Sequence, residues 1–185
     1  MVMKPVFERA RQNPQRIVFA DGESQRVITG MQILVDDGIC KPILIGNPDL
    51  IQQNINNYNL RIKIGVVIEV IDPRANPNYE RHVEAYYQVM SREGVTPAYA
   101  KRVISSRTTQ LAAIMVREGD ADAMICGVEG NYVSHLNYIQ SVIGTRAGVS
   151  NLAAATMLIL PKGTYFLTDT HVTVDPTAEQ LADTT

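Results

Sequence analysis

Four apolar runs closed by turn residues stand before Gly130 in this 185-residue chain, and the first three each lead into a stretch of helical periodicity. "RIVFAD" ends at Asp21-Gly22 and leads into Val27, Met31, Leu34 and Val35, spaced i, i+4, i+7 and i+8. Gly38 stands where a C-cap belongs, and "KPILIGNP" supplies the second run, closed by Gly46, Asn47 and Pro48. Pro48 starts a helix diluted by asparagines, "GVVIEVIDP" reads as a third strand stopped at Asp72-Pro73, and Pro77 to Arg92 reads as the next helix. After the helix start at Thr96-Pro97, Ile104, Leu111 and Met115 trace one face of a helical region reaching Glu118, and "ADAMICG" is a fourth strand. Parallel strands need crossover connections, and helices fill them. The pattern therefore predicts an α/β fold, with a mostly parallel sheet carrying helices on both faces.

From Gly148 the texture changes. "AAATMLILP" and "YFLTDT" lie close together around Lys162-Gly163, as an antiparallel pair would, and begin a second, smaller α/β subdomain. The organisation expected is a first subdomain over 1–146 and the incomplete start of a second over 147–185. In "VDPTAEQLADTT", Asp175 reads as an N-cap, Pro176 as a first-turn residue and Glu179 as part of the opening turns of a helix. So short a helix presents little apolar face to a core, and the domain is expected to continue past Thr185.

A formal charge of -2 leaves no electrostatic footprint for nucleic acid or an anionic membrane, so neither is expected as a partner. No apolar run approaches the length of a membrane span, and Met1 to Gln12 is charged where a secretory peptide would be apolar. Cys40 and Cys126 sit far apart in apolar settings, as buried thiols rather than a disulfide, and a cytoplasmic location is expected.

Ligands of open α/β sheets bind beyond the carboxyl ends of the strands. The loop there with most to offer is "CGVEGNYVSH": Gly127 and Gly130 permit close backbone approach, and Asn131 or Ser134 could open a helix whose free N–H groups suit a phosphate or carboxylate. The same glycines equally serve a plain connection. "ADGESQR" places Glu23, Ser24 and Arg26 at the first strand's end, as ligand contacts or as a capped, solvated helix start. Neither GxGxxG nor a lysine-bearing phosphate loop is present. His82, His135 and His171 lack partners at metal-ligand spacing and read as structural or solvated, so no metal site is expected. There is no GxSxG, and Cys126 has no predictable base beside it. "GTRAG" reads as a hinge that brings Thr145 and Arg146 near the same strand ends, or as a turn with an exposed arginine.

The stretches "RIVFADGESQRV", "GICKPILIGNP", "EGVTPAYAKRV", "GDADAMICG" and "VDPTAEQLAD" resemble, in order, the phosphate acetyl/butyryltransferase family. The middle segment, "GVEGNYVSHLNYIQSVIGTRAGVSN", looks more like the version of that domain fused behind a malic enzyme. The resemblance implies two α/β subdomains around a cleft that binds CoA or acetyl-CoA, in a homo-oligomer of at least a dimer. It places the catalytic serine, arginine and aspartate in a later segment, so this chain on its own is expected to show no acyltransferase activity. Family arginines of "LRKxKG" and "DTxRP" correspond to Met90 and Asn137, and the "SGA.H" loop becomes "CGVEG".

The function implied is that of a regulatory and oligomerisation domain of an NADP-dependent malic enzyme, with NADP and a divalent metal held by the malic enzyme domain outside this chain. The expected acetyl-CoA or phosphate contacts are Gly127, Gly130, Asn131, Ser134, Thr145 and Arg146, with no catalytic residue among them. The alternative is a phosphate acetyltransferase or butyryltransferase that moves an acyl group between CoA and phosphate; a third is an oligomerisation module without a ligand.

Overall fold

The structure, a computed structural model, describes residues 3–149 and 151–184. The chain divides into two compact units, Met3–Ile143 and the residues from Gly144 onward. In the first, β1 (Gln15–Phe19), β2 (Cys40–Ile45), β3 (Glu69–Ile71) and β4 (Ala123–Ile125) form a sheet in the order β3-β2-β1-β4, with every pairing parallel. The helices of this unit are α1 (Lys4–Gln12), α2 (Gln25–Asp37), α3 (Pro48–Asn57), α4 (Tyr79–Met90), α5 (Pro97–Ser106), α6 (Thr108–Arg117) and α7 (Tyr132–Val142).

Successive strand residues point to opposite faces, and this sorts the core into two layers. Val18, Ala20, Ile43 and Ile45 pack with α4, α5, α6 and the end of α7. Phe19 and Leu44 pack on the other side with Val27, Ile28 and Met31 of α2 and Ile51 and Ile55 of α3. Burial on both faces is why the strands read as continuous apolar runs rather than as alternating ones.

Local chemistry ends the elements where the sequence signals it. The Gly38 N–H closes α2 on the carbonyls of Leu34 and Val35. Asn47 Oδ1 accepts from the Asp49 N–H at 2.8 Å to start α3, and Thr96 Oγ1 accepts from the Tyr99 N–H at 3.2 Å to start α5. Elsewhere the expectations need correction. The third strand is only three residues long, because Gly65 has φ +76° and turns the chain, leaving Val66 exposed. The long helical region breaks at Arg107, whose backbone is extended, into α5 and α6. The helix expected over Pro77 to Arg92 is α4 followed by a single 3₁₀ turn, Ser91–Glu93. Helix α1, tied to α2 by Arg11 Nε donating to the Asp37 carbonyl at 2.6 Å, was not expected.

At the amino edge of the sheet, Arg16 and Asp122 staple β1 to the approach of β4. The guanidinium donates to both carboxylate oxygens, at 2.7 and 3.2 Å, and Asp122 Oδ2 also accepts the Arg16 N–H at 2.8 Å. These hydrogen bonds from Arg16 hold the Asp122 carboxyl below the ordinary range. His82 is buried nearby. Asn76 accepts the Asn78 N–H through Oδ1, so its Nδ2 donates to His82 Nδ1 (2.8 Å), leaving Nε2–H for Asp120 at 2.6 Å. Cys40 is level with Gln15, whereas Cys126 follows the residue level with Phe19. Five residues at ~3.3 Å put the thiols about 16 Å apart along the sheet, far beyond disulfide reach.

In the second unit, β5 (Ala155–Leu160) and β6 (Gly163–Thr168) pair antiparallel, and Met157, Leu158, Tyr165, Phe166 and Leu167 are exposed. Helix α8 (Ala178–Thr184) starts two residues later than Asp175-Pro176 implied. Thr177 Oγ1 accepts from the Gln180 N–H at 3.3 Å while Gln180 Oε1 accepts from the Thr177 N–H at 2.8 Å, and this reciprocal cap wins because it satisfies two donors at once.

Beyond β6, Asp169 gathers three backbone N–H groups, from Ala154 at 2.9 Å, Thr173 at 2.8 Å and Val172 at 3.3 Å. The Ala154 bond is the largest cause of a carboxyl pKa lowered to about 2, with those of Thr173 and Val172 adding to it. Because the folded pKa lies below the unfolded value near ~3.9, the stabilisation is complete above that value and is lost as pH falls toward 2. In an NMR titration the Ala154 and Thr173 amide shifts are expected to follow a midpoint near pH 2; a midpoint near an ordinary aspartate's value refutes the assignment.

Candidate functional site

Strand order decides where a crevice opens. The chain steps from β1 outward to β2 and β3, then crosses back to lay β4 on the other side of β1. Winding therefore reverses between β1 and β4, and the loops leaving their carboxyl ends part in opposite directions. One of these is Asp21–Ser24; the other is the glycine loop that begins at Cys126.

The two loops are tied to each other and to α6. Asp21 Oδ2 accepts from the Val128 N–H at 3.0 Å. His135, in the first turns of α7, lies 2.7 Å through Nε2 from the Glu129 carbonyl, and 2.9 Å through Nδ1 from Thr109 Oγ1. A carbonyl only accepts, so Nε2 carries the proton and a neutral ring accepts the Thr109 hydroxyl at Nδ1. Gly130 has φ +93°, and a Cβ there would stand 2.8 Å from His135 Nε2. The glycine is required twice, by its backbone angle and by the ring pressed against it. Asn131 then opens α7, its Oδ1 accepting the Ser134 N–H at 3.2 Å.

Four candidate residues, Gly127, Gly130, Asn131 and Ser134, thus belong to one loop and helix start braced by His135. Thr145 and Arg146 belong to the second unit, where they line a hollow of ≈ 330 Å³ with Asn151, Thr168 and Asp183. The Arg146 side chain makes no hydrogen bond or ion pair among the described residues. Eleven residues of α7 span about 16 Å, so the glycine loop and the Thr145-Arg146 pair are attached to opposite ends of that helix. Its far end is held by Arg117 Nη1, which donates to the Val142 carbonyl at 2.9 Å.

Of the "ADGESQR" stretch, Glu23 is a brace: Oε1 accepts the Asn47 N–H at 2.7 Å, and its carbonyl accepts from Asn54 Nδ2 at 3.2 Å. Ser24 is buried at the start of α2 without a side-chain cap bond. Burial, and then Asp21, push the Cys126 thiol up, so it stays protonated and is a poor nucleophile. Among the described residues, no three His, Cys, Asp or Glu side chains gather as metal ligands, and no helix is long and apolar enough to cross a membrane. Asp21, Thr109 and His135 were not singled out as loop anchors from sequence. Only the position of Asp21 at a strand end pointed that way, since its partner lies 107 residues on.

Met90 is half-buried against the α4–α7 core, and Asn137 is exposed on α7. The model of the phosphate acetyl/butaryl transferase family matches residues 1–185. The chain belongs to that family. Within it, the 185 residues are 42% identical to the NAD-dependent malic enzyme of Rhizobium meliloti and 43% identical to the NADP-dependent malic enzyme of Haemophilus influenzae, over 100% of the chain and 24% of each relative. The phosphate acetyltransferase of Nitratidesulfovibrio vulgaris is 26% identical over 96% of the chain and 25% of its own length. The chain thus spans about a quarter of the length of these curated relatives. The fold of this transferase-family chain is that of the EutD phosphotransacetylase from Staphylococcus aureus, with a TM-score of 0.87 at 20% identity over 98% of this chain and 55% of that one.

Proposed function

We propose that this chain is the acyl-CoA-binding, regulatory part of a malic enzyme rather than a catalytic acyltransferase. One observation carries the reading: identity to malic enzymes is 42–43% over nearly the whole chain, against 24–29% for the phosphate acetyltransferases. The side chains at two positions support it. At the positions where the family resemblance places arginines suited to gripping phosphate, Met90 offers no donor and is half-buried against the core, and Asn137 offers no charge.

In this reading malate is oxidatively decarboxylated to pyruvate in another part of the parent protein, by residues that hold NADP and a divalent metal. This chain assembles the homo-oligomer and binds acetyl-CoA, with Gly127, Gly130, Asn131, Ser134, Thr145 and Arg146 as the proposed contacts. An inhibitor of this kind must bind one state of the enzyme better than the other, and the coupling is reciprocal. The exposed apolar side chains of Tyr132 and Val133 on α7 and of the β5–β6 hairpin supply surface for association.

Calorimetric titration of the full-length protein with acetyl-CoA tests the binding. Saturable binding that inhibits malate oxidation is expected, with acetyl phosphate and CoA giving no acyl transfer. Absence of binding, or acyl transfer well above the buffer rate, overturns the proposal.

A further inference from the structure

Two hydrogen bonds decide which backbone groups the glycine loop turns outward. Asp21 Oδ2 accepts the Val128 N–H at 3.0 Å, and His135 Nε2 donates to the Glu129 carbonyl at 2.7 Å. In a trans peptide the C=O and the N–H point in opposite directions, and the peptides joining Gly127 to Val128 and Glu129 to Gly130 are both trans. The Gly127 carbonyl is therefore directed away from Asp21, and the Gly130 N–H away from the His135 ring. Neither group makes a hydrogen bond among the described residues.

The orientation of the Gly130 N–H depends on one proton. In the other neutral tautomer of His135 the Nε2 lone pair would face the Glu129 oxygen at 2.7 Å, a repulsion that the peptide relieves by turning over. Thr109 fixes the tautomer. It is buried in the first turn of α6, and its Oγ1–H has no acceptor among the described residues except His135 Nδ1, at 2.9 Å. A buried hydroxyl left without an acceptor is costly, so Nδ1 stays bare and the proton stays on Nε2. We infer that Thr109 and His135 are a positioning pair: the Thr109 hydroxyl selects the ring tautomer, the ring fixes the peptide between Glu129 and Gly130, and that peptide aims the Gly130 N–H at the ligand of the glycine loop. The inference rests on the acyl-CoA reading for the identity of that ligand. It adds that affinity for the effector is set from within α6, through a hydroxyl proton rather than through the volume of the side chain that carries it.

The test uses the full-length protein with its Thr109→Val, Thr109→Ser and His135→Ala variants. Valine keeps the volume and removes the hydroxyl, whereas serine keeps the hydroxyl and removes the methyl group. Hydrogen–deuterium exchange read by mass spectrometry over residues 127–135 reports the loop, exchange in α2 and α3 serves as the folding control, and calorimetric titration with acetyl-CoA reports the ligand. In Thr109→Val the loop amides are expected to exchange about tenfold faster and acetyl-CoA to bind about tenfold more weakly, the loss of one oriented hydrogen bond. Thr109→Ser should stay within about threefold of wild type in both. His135→Ala should show at least the losses of Thr109→Val, and adding Thr109→Val to it should change nothing further, because one residue acts through the other. Unchanged loop exchange in Thr109→Val, a serine variant as impaired as the valine one, or additive losses in the double variant overturns the inference. If acetyl-CoA binds wild type and Thr109→Val alike, the inference falls and the acyl-CoA reading stands. If acetyl-CoA does not bind the wild type, the acyl-CoA reading falls, and loop exchange alone decides whether the pair orients the loop.

Discussion

Replacing Gly130 with alanine is expected to cost about 2–6 kcal/mol of stability and to release the glycine loop from the β1/β4 crevice. Two effects add. A side chain at φ +93° is strained by ~1–3 kcal/mol. The new Cβ, 2.8 Å from His135 Nε2, also pushes the ring off its hydrogen bonds to Glu129 and Thr109, at about 0.5–1.5 kcal/mol each. At about 2–4 °C per kcal/mol for a chain of this size, the melting temperature should fall by about 4–24 °C. Gly65→Ala is the control: φ is also positive there, +76°, but a Cβ would meet nothing within 4 Å, so only the backbone term, ~1–3 kcal/mol, applies. Placing Gly130→Ala in a His135→Ala background should recover the excess. Equal losses at Gly65 and Gly130, or no recovery in the double variant, would show that the ring does not dictate the glycine.

If the proposed acetyl-CoA inhibition runs through Arg146, Arg146→Ala in the full-length protein is expected to weaken it roughly ten- to hundredfold, the loss of one charge-assisted contact of about 1.5–3 kcal/mol. Its guanidinium lines a hollow of the second unit and makes no pair among the described residues, so it is available to a CoA phosphate and its removal leaves no buried partner unsatisfied. On the proposed function, in which the malate chemistry lies in another part of the protein, malate turnover without effector should hardly change. Wild-type sensitivity to acetyl-CoA in the variant would remove Arg146 from the site without touching the glycine loop, since the two are attached to opposite ends of α7.

What was legible in the sequence was what is decided locally. Apolar runs closed by Asp21-Gly22 or Gly46-Asn47 became parallel strands, and Gly38, Asn47, Thr96 and Asn131 end or start helices because their own atoms satisfy neighbouring backbone groups. Where two local signals competed, the reading failed. The β-branched run Val66-Val67-Ile68 looked like strand, but Gly65 turns the chain, and the Thr177–Gln180 pair outbid Asp175-Pro176 as a helix start. The break at Arg107 carried no glycine or proline to announce it. The glycine loop could be picked out by composition, whereas its anchors could not: Asp21 meets Val128 across 107 residues, and Thr109 meets His135 across 26. Such partners are chosen by topology, which spacing does not reveal.

The staple between Arg16 and Asp122 has a kinetic meaning. Strands β1, β2 and β3 are neighbours in sequence as well as in the sheet, so they assemble through short loop closures. Strand β4 must instead return across more than a hundred residues to reach β1, and the entropy of that closure is recovered only after contact. Ionic hydrogen bonds at the amino edge, where β4 is about to begin, and the Asp21–Val128 bond just beyond its carboxyl end, hold both ends of this three-residue strand in register. The crevice is therefore completed by the most non-local step of the first unit's folding, and fraying of β4 alone would dissolve the glycine loop while leaving β1, β2, β3 and their helices standing.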